Sequence, residues 1–225
     1  RMGLDAHKDQ SYVLYTLNQQ QLSHILFPIG AYTKEQVREI ARTLNLPVAS
    51  KQESQDLCFL NDGDYRRFLR DNIIHIQQPG PILDSAGREL GRHEGLAFYT
   101  IGQRKGLGIA AAEPLFVLRK DSKINALIVG PRHELGLTEL VAEDANWIAG
   151  AAPAMPIRAL IKIRYKAAGV MGTVIPIRAG SVRVEFDEPV YGVTPGQAAV
   201  FYDHDHLIGG GLIVDRSITR EEEGN

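Results

Sequence analysis

Apolar residues recur at helical spacing early in the chain. Four of them follow the spacing i, i+3, i+4 and i+7, which places them on one helix face: Val37, Ile40, Ala41 and Leu44. Thr33 and Gln36 precede this stretch in the arrangement of a capping box, in which each side chain hydrogen-bonds the other residue's backbone N–H. We therefore predict a helix over residues 34–44.

Shorter apolar runs lie on either side of this helix. Residues 11–17 are apolar enough for a short helix or strand, and residues 47–49, Pro-Val-Ala, read as a short buried strand. A helix followed by a strand is typical of the end of an α/β domain. Residues 64–69 place Tyr65, Phe68 and Leu69 on one face of a further short helix.

From Ile82 onward the chain changes to short apolar runs separated by turn residues. Residues 115–118 and 126–129 are predicted to form paired strands. Five later runs have the length and spacing of strands: residues 157–165, 172–177, 181–186, 197–202 and 207–214. Regularly spaced strands favour a small closed barrel or a sandwich. These patterns predict an α/β segment followed by mainly β structure, with the choice between a barrel and a sandwich left open.

Composition places the chain among folded globular proteins, with 44% hydrophobic and 23% charged residues. It contains no run of about 20 apolar residues that would span a bilayer, and its first residues do not resemble a signal peptide. The single cysteine, Cys58, excludes an internal disulfide and fits a reducing compartment. These features predict a cytoplasmic protein that does not contact membranes.

Charge is unevenly distributed along the chain, although the net charge is only −2. No acidic residue lies between Asp144 and Glu185. Six basic residues fall in this interval: Arg158, Lys162, Arg164, Lys166, Arg178 and Arg183. Such a segment is a candidate surface for nucleic acid.

Cys58 is the first candidate for chemistry. Between Leu57 and Phe59 a lone cysteine is most simply a small buried apolar residue. The alternative is a reactive thiolate, whose pKa Lys51 would lower and the nearby acidic residues would raise. The local sequence leaves both interpretations open.

Three further motifs allow either a structural or a binding role. Lys8, Asp9 and Gln10 belong to a polar run that is either a solvated loop or a contact to RNA phosphate or ribose. Residues 99–108 contain Arg104 and Lys105 among glycines and do not match a Walker A loop; a structured hairpin tip or a phosphate contact would explain them. Arg164, Tyr165 and Lys166 place an aromatic ring between two bases, which suits RNA stacking and phosphate contact.

Residues 203–206, Asp-His-Asp-His, resemble a metal-binding sequence at first sight. Strands flank them and three glycines follow, so a polar hairpin turn is the favoured interpretation. We predict no metal site.

Six motifs occur in one order between Asp5 and Gly106, within a resemblance that runs from Gly3 to about Val214. They read D-x-x-K-D-Q-S-Y from Asp5, F-P-x-G from Phe27, K-x-x-V-R-x-x-A from Lys34, S-Q-D-x-C-F from Ser54, G-x-H-x-G from Gly91 and Y-T-I-G-Q-R-K-G from Tyr99. In this combination the sequence closely resembles the tRNA-specific 2-thiouridylase family.

The resemblance implies a domain organisation. Residues 1–62 would be the C-terminal part of an α/β ATP-pyrophosphatase domain, residues 63–136 a central β-rich domain, residues 137–217 a β-barrel and residues 218–225 a tail. The family's Ser-Gly-Gly-x-Asp-Ser loop, which binds ATP with Mg²⁺, is absent from this sequence, as is the family's other catalytic cysteine. No cofactor is therefore expected on these residues, and the chain by itself is expected to be inactive.

The resemblance also implies a reaction. In the family ATP adenylates O2 of the wobble uridine, position 34, in tRNAs for Lys, Glu and Gln, and sulfur then displaces AMP. Cys58 corresponds to the cysteine that accepts a persulfide from a sulfur-relay protein or cysteine desulfurase, and the absent cysteine releases the sulfur by disulfide formation. The tRNA contacts would come from six residues: Lys8, Asp9, Gln10, Arg164, Tyr165 and Gln197.

The sequence leaves two alternatives to a sulfurtransferase. The first is that the chain by itself is a tRNA-binding module without catalysis, and the second is that it is a thiol redox protein. A thiol redox protein is disfavoured, because Cys58 has no second cysteine to pair with. Without the rest of an ATP-pyrophosphatase domain, an apolar face near residues 12–48 is expected to be exposed.

Overall fold

The computed structural model describes residues 1–50, 64–72 and 78–215. The described parts of Arg1–Lys51 and Leu137–Asn225 form one compact unit, and those of Gln52–Gly136 form another. None of the described helices is long and apolar enough to cross a membrane.

The first fifty residues are helical wherever they form regular structure. Ser11–Thr16 is a 3-10 helix, α1 spans Gln19–Leu22, a second 3-10 helix spans Pro28–Ala31, and α2 spans Lys34–Thr43. The predicted helix and its capping box are confirmed: the Thr33 N–H donates to Gln36 Oε1 at 2.7 Å, and the Gln36 N–H donates to Thr33 Oγ1 at 3.3 Å.

The strand predicted at residues 47–49 is wrong. Pro47–Ser50 is a 3-10 helix with no buried residue, and Val48 is 62% exposed. Asn45 adopts a φ of +54°, which turns the chain sharply after α2, and the Ala49 N–H then donates to the Leu46 carbonyl at 3.1 Å. Pro47 lacks the N–H that a central strand requires.

An apolar face near residues 12–48 is exposed, as expected. Its most exposed side chains are Leu26 at 89%, Ile29 at 65%, Leu44 at 63% and Val48 at 62%. No residue of α1 or α2 is buried.

The second unit contains a short helix and a four-stranded mixed sheet. Helix α3 spans Tyr65–Asn72, close to its predicted position, and the strands are β1 Gly80–Leu83, β2 Glu89–His93, β3 Phe116–Asp121 and β4 Ala126–Gly130. The sheet order is β2-β1-β4-β3. The predicted pairing of β3 with β4 is confirmed as antiparallel, whereas β1 and β4 run parallel.

The C-terminal strands close into a six-stranded barrel, which confirms the predicted architecture. They are β5 Gly136–Trp147, β6 Ile157–Lys162, β7 Val170–Arg178, β8 Ser181–Tyr191, β9 Ala198–Asp203 and β10 His206–Ile213. Their order around the barrel is β10-β5-β8-β7-β6-β9. The interior is filled by side chains from all six strands, including Leu140, Ile161, Val174, Val184, Phe201 and Ile213.

Strand β9 is buried on both faces, unlike the half-exposed strands around it. Ala199 and Phe201 point into the barrel core, while Ala198, Val200 and Tyr202 belong to a separate cluster that contains Tyr12. The outer face of β9 is therefore covered by the N-terminal segment of the chain, and this contact positions the candidate site.

Candidate nucleic-acid interface

Residues 2–17, called the N-terminal segment below, are attached to the barrel by hydrogen bonds. The Met2 N–H donates to the Asp205 carbonyl at 2.7 Å. The Tyr12 hydroxyl donates to the Ala198 carbonyl at 2.8 Å, across 186 residues of sequence. At the other end of the segment, Asn146 Nδ2 donates to the carbonyls of Tyr15 at 2.6 Å and Leu17 at 3.0 Å. The predicted RNA contacts at residues 8–10 thus belong to the surface of the barrel.

Asp9 anchors this segment with both carboxylate oxygens. Its Oδ1 accepts the N–H groups of Gly3 at 2.8 Å and Ser11 at 3.1 Å, and its Oδ2 accepts the Ser11 hydroxyl at 2.8 Å. Lys162 Nζ lies 3.8 Å from Oδ2, and the Asp9 side chain is only 5% exposed. The neighbouring residues Lys8 and Gln10 are exposed.

Tyr202 forms the floor beneath this anchor. Its hydroxyl lies 3.1 Å from Ser11 Oγ, and the Lys162 ammonium lies 5.2 Å from the centre of its ring. Burial raises the pKa of Tyr202 to about 12, so its hydroxyl remains protonated at neutral pH. The anchor therefore combines one ion pair, a cation over an aromatic face and two neutral hydroxyls.

Arg164, Tyr165 and Lys166 form the turn that follows β6. The Ala167 N–H donates to the Arg164 carbonyl at 3.1 Å and closes the turn. Arg164 and Lys166 are exposed, whereas Tyr165 is half-buried and packs against the cluster that contains Tyr12 and Ala198. Tyr165 therefore packs on the apolar cluster through which the N-terminal segment is attached to the barrel.

The acid-free interval in the sequence is not free of acids in space. Within the described part of the chain, four of its six basic residues have a carboxylate partner: Arg158 with Asp187, Lys162 with Asp9, Arg178 with Glu143, and Arg183 with Glu185. The other two, Arg164 and Lys166, form no ion pair with any described residue. Of the candidate nucleic-acid surface predicted from this interval, only the β6–β7 turn retains cations without a carboxylate partner among the described residues.

Gln197 lies in the turn before β9. Gly196 adopts a φ of +84°, the Gln197 N–H donates to the Thr194 carbonyl at 3.1 Å, and the Gln197 carbonyl accepts the Ile213 N–H at 2.7 Å. Its side-chain Oε1 is buried and has no hydrogen-bond partner among the described residues. Because Gln197 directly precedes Ala198, it lies beside the attachment point of Tyr12.

The predicted contacts converge on one unit of the structure. Lys8, Asp9 and Gln10 are joined to β6 through Lys162, two residues before Arg164, while Tyr165 packs against the cluster that Tyr12 and Ala198 share. Sequence reasoning missed the anchoring roles of Lys162, Ser11, Tyr12 and Tyr202. Ser11 and Tyr12 occur in one of the six quoted motifs, but nothing in the sequence indicates that β9 is their partner.

Two other candidate motifs have a structural explanation. Residues 203–206 form the tight turn between β9 and β10, with His204 at a φ of +52°, as predicted. No group of three His, Cys, Asp or Glu side chains suited to a metal ion occurs among residues 1–50, 64–72 and 78–215. Cys58 lies outside the described residues.

The loop at residues 99–108 is ordered, but the predicted hairpin tip is wrong. The loop connects β2 to β3, which are not neighbours in the sheet. Its base is closed instead by hydrogen bonds from the Gly102 N–H to the Val117 carbonyl at 2.8 Å and from the Val117 N–H to the Gln103 carbonyl at 2.9 Å. Arg104 and Lys105 are exposed in this loop.

Three family models match the chain in succession. A tRNA methyl transferase HUP domain matches residues 1–62, a tRNA methyl transferase PRC-barrel domain matches residues 66–131, and an aminomethyltransferase β-barrel domain matches residues 137–213. The N-terminal segment thus lies within the first match, and the barrel strands lie within or next to the third.

Comparison with curated proteins identifies the family. The chain is 50% identical over 211 residues to the tRNA-specific 2-thiouridylase MnmA of Moorella thermoacetica, which covers 94% of the chain and 59% of that protein. It is 48% identical over 214 residues to the protein of the same name from Heliobacterium modesticaldum, covering 94% of the chain and 56% of that protein. The chain belongs to the tRNA-specific 2-thiouridylase family and spans somewhat more than half the length of these relatives.

Proposed function

We propose that this chain takes part in the synthesis of 2-thiouridine in tRNA and that its barrel, with the N-terminal segment, binds the tRNA substrate. The names of its relatives support thiolation. The family models carry the name of a methyl transferase, but relatives that are 46–50% identical over most of the chain are named 2-thiouridylases.

The observation that carries the binding role is the convergence of the candidate contacts. Lys8 and Gln10 are exposed on a segment that Asp9 fixes to β6, and Arg164 and Lys166 are exposed at the end of that same strand. Arg164 and Lys166, which form no ion pair with a described residue, are available to neutralise phosphates, and Gln197 lies on the same unit beside the attachment point of Tyr12. Asp9 and Tyr165 hold this surface together from beneath.

For the chemistry we propose Cys58 as the residue that carries sulfur as a persulfide to C2 of uridine 34. A lone cysteine cannot form an internal disulfide, and a persulfide sulfur is a strong nucleophile. The sulfur would come from a sulfur-relay protein or a cysteine desulfurase, and the substrates would be the tRNAs for Lys, Glu and Gln, in the cytoplasm. The 225 residues contain no Ser-Gly-Gly-x-Asp-Ser loop, so we assign none of them to ATP or Mg²⁺ and derive no step through the nucleotide.

A salt titration with substrate tRNA tests the binding role. We expect affinity to fall steeply with salt, and the double variant Arg164→Ala, Lys166→Ala to lose about tenfold in affinity at moderate salt and to lower the salt slope by about 2. The matched control, Arg158→Ala with Arg178→Ala, removes the same charge from paired positions and should lose less than about threefold. Absence of binding at low salt would refute the role, and equal losses in both double variants would refute the assignment to the turn.

Replacement of Cys58 by serine tests the catalytic role. The assay measures thiolation of tRNA with ATP and a sulfur donor, in the presence of the ATP-pyrophosphatase region of a curated relative. We expect thiolation to be abolished while the affinity for tRNA is unchanged. Unchanged thiolation would leave the alternative, a tRNA-binding module without catalysis.

A further inference from the structure

A basin lies beside the β6–β7 turn, between it and the end of β8. Its volume is about 510 Å³, within the range of pockets that hold small organic ligands. The buried side chains of Ile163 and Val190 lie at its base, and Arg164, Lys166 and Tyr191 line it as well. The Tyr191 side chain is 38% exposed. The basin thus combines an apolar floor, two cations and an accessible aromatic ring.

The basin is lined by cations without acids, whereas a groove along α2 on the same unit is lined by both. No carboxylate lines it, and neither of its cations forms an ion pair with a described residue. A groove of about 490 Å³ along α2 has Glu35 and Glu39 among its lining residues, and Arg42 there is paired with Glu39 at 2.7 Å. The basin therefore favours an anionic ligand.

The Arg164 guanidinium lies beside Gly192. Gly192 adopts a φ of +77°, a conformation that glycine accepts at no steric cost. The Arg164 guanidinium lies over this glycine, with one Nη 3.6 Å from the place that a Cβ on Gly192 would occupy. Because Gly192 directly follows Tyr191, the guanidinium lies close to the backbone that carries the tyrosine, and both residues line the basin.

We propose that this basin binds one unstacked nucleotide of an RNA single strand, with the base against Tyr191 and the phosphate between Arg164 and Lys166. The inference rests on the proposed tRNA-binding function and narrows it to one nucleotide subsite. A base inside a duplex is stacked on its neighbours, whereas bases in loops and ends are free to stack on an aromatic side chain. A single-stranded part of the tRNA is therefore the ligand.

The test uses a short single-stranded RNA that carries the fluorescent base 2-aminopurine, whose emission falls when it stacks on an aromatic ring. With the whole chain we expect salt-dependent binding and quenching. Tyr191→Leu should abolish the quenching and weaken binding about tenfold, while Tyr191→Phe should retain both. Tyr32→Leu is the matched control, because Tyr32 is exposed to a similar extent, 43%, and lies outside the basin; it should behave as the unsubstituted chain.

The outcomes separate this inference from the proposed function. If Tyr191→Leu binds and quenches as the unsubstituted chain does, while RNA binding remains sensitive to Arg164→Ala, the basin is not the nucleotide site and the proposed function stands. If the unsubstituted chain binds tRNA but not this short RNA at low salt, only the nucleotide subsite is wrong; if it binds neither, the proposed function is wrong as well. Thermal unfolding of each variant shows whether it is folded. If the leucine variant is not, Lys166→Ala takes its place: it removes one cation of the basin and should weaken both binding and quenching, and unchanged binding and quenching would overturn the proposal.

Discussion

The cations on the barrel strands and those in the β6–β7 turn differ in what surrounds them. On the strands, Arg158, Arg178 and Arg183 each lie beside a carboxylate, and Lys162 lies over a tyrosine ring next to Asp9. In the turn, Arg164 and Lys166 form no such pair with any residue that the structure describes. All six come from one acid-free interval of the sequence. The difference shows that folding, and not the spacing of charges along the sequence, decides which positive charges remain available to a ligand: acids from elsewhere in the described chain reach Arg158, Lys162 and Arg178 but not the turn.

The largest effect on stability is expected from replacing Asp9, the carboxylate partner of Lys162, because Lys162 is the most buried of the strand cations. Asp9→Ala leaves Lys162, whose side chain is 16% exposed, without its carboxylate and removes three hydrogen bonds from the N-terminal segment. Breaking a buried ion pair on one side costs about 3 kcal/mol. Urea unfolding measures this loss in the free energy of unfolding. In the double variant with Lys162→Met the loss should be smaller than the sum of the two single losses, and strict additivity would show that the two groups do not interact.

Alkaline unfolding tests the environment beneath this pair. The folded-state pKa of Tyr202 is about 12, above its ordinary value of 10.0, so the folded chain keeps a proton that the unfolded chain releases. The resulting stabilisation is fully present below pH 10 and is lost as the pH rises toward 12. The free energy of unfolding should therefore fall between pH 10 and 12 by about 2 kcal/mol more in the unsubstituted chain than in Tyr202→Phe. Parallel pH profiles for the two proteins would contradict the raised pKa.

Replacing Gly192 or Gly180 by alanine tests the role of Arg164 in the turn without changing any charge. Gly192 and Gly180 adopt similar φ angles, +77° and +74°, so alanine at either position should cost about 1 kcal/mol of stability. A Cβ at Gly192 would lie 3.6 Å from one Nη of Arg164, in ordinary van der Waals contact, whereas at Gly180 nothing lies within 4 Å. Because the added methyl group takes a place beside the guanidinium that a ligand could use, RNA affinity should fall in Gly192→Ala and remain unchanged in Gly180→Ala. Equal RNA affinities would show that this side of the guanidinium does not contribute to binding.

The smallest effect is expected at the exposed strand pair. Arg158 and Asp187 are both solvent-exposed, and the Arg158 guanidinium holds the pKa of Asp187 below its usual value. Exposed ion pairs contribute little to stability, so Arg158→Met should shift the melting temperature by no more than about 2 °C at neutral pH. The Asp187 contribution is present above its unfolded pKa and disappears as the pH falls through its lowered folded value, so the difference between the two melting temperatures should shrink as the pH is lowered. A larger shift at pH 7 would mean that the strand cations matter more than their exposure suggests.

Features that depend on local sequence could be predicted. Helix α2 begins at a capping box that neighbouring residues supply, and the alternation of apolar residues from Ile157 onward is sufficient to indicate a series of strands that form a barrel or a sandwich. The turn at His204 follows from the strands on either side. In each of these cases the residues that determine the structure lie within a few positions of one another.

Features that depend on distant partners could not be predicted. Residues 47–49 have the composition of a strand, but Asn45 and Pro47 turn them into a 3-10 helix. Asp9 looks like a surface residue in a polar run, and only the position of Lys162 reveals it as an anchor. The basin beside Tyr191 could not be predicted for the same reason, because it forms between the β6–β7 turn and the end of β8, which β7 and most of β8 separate in the sequence.

The attachment of the N-terminal segment to the barrel has a consequence for synthesis of the chain. Tyr12 and Ser11 bond to partners 186 and 191 residues later in the sequence, so they leave the ribosome long before β9 exists. Contacts at such separation form late and slow the folding of a chain. Until β9 and β10 emerge, the apolar residues of the segment have no surface to cover, and a nascent chain that stalls before residue 198 would present them to chaperones or to other nascent chains.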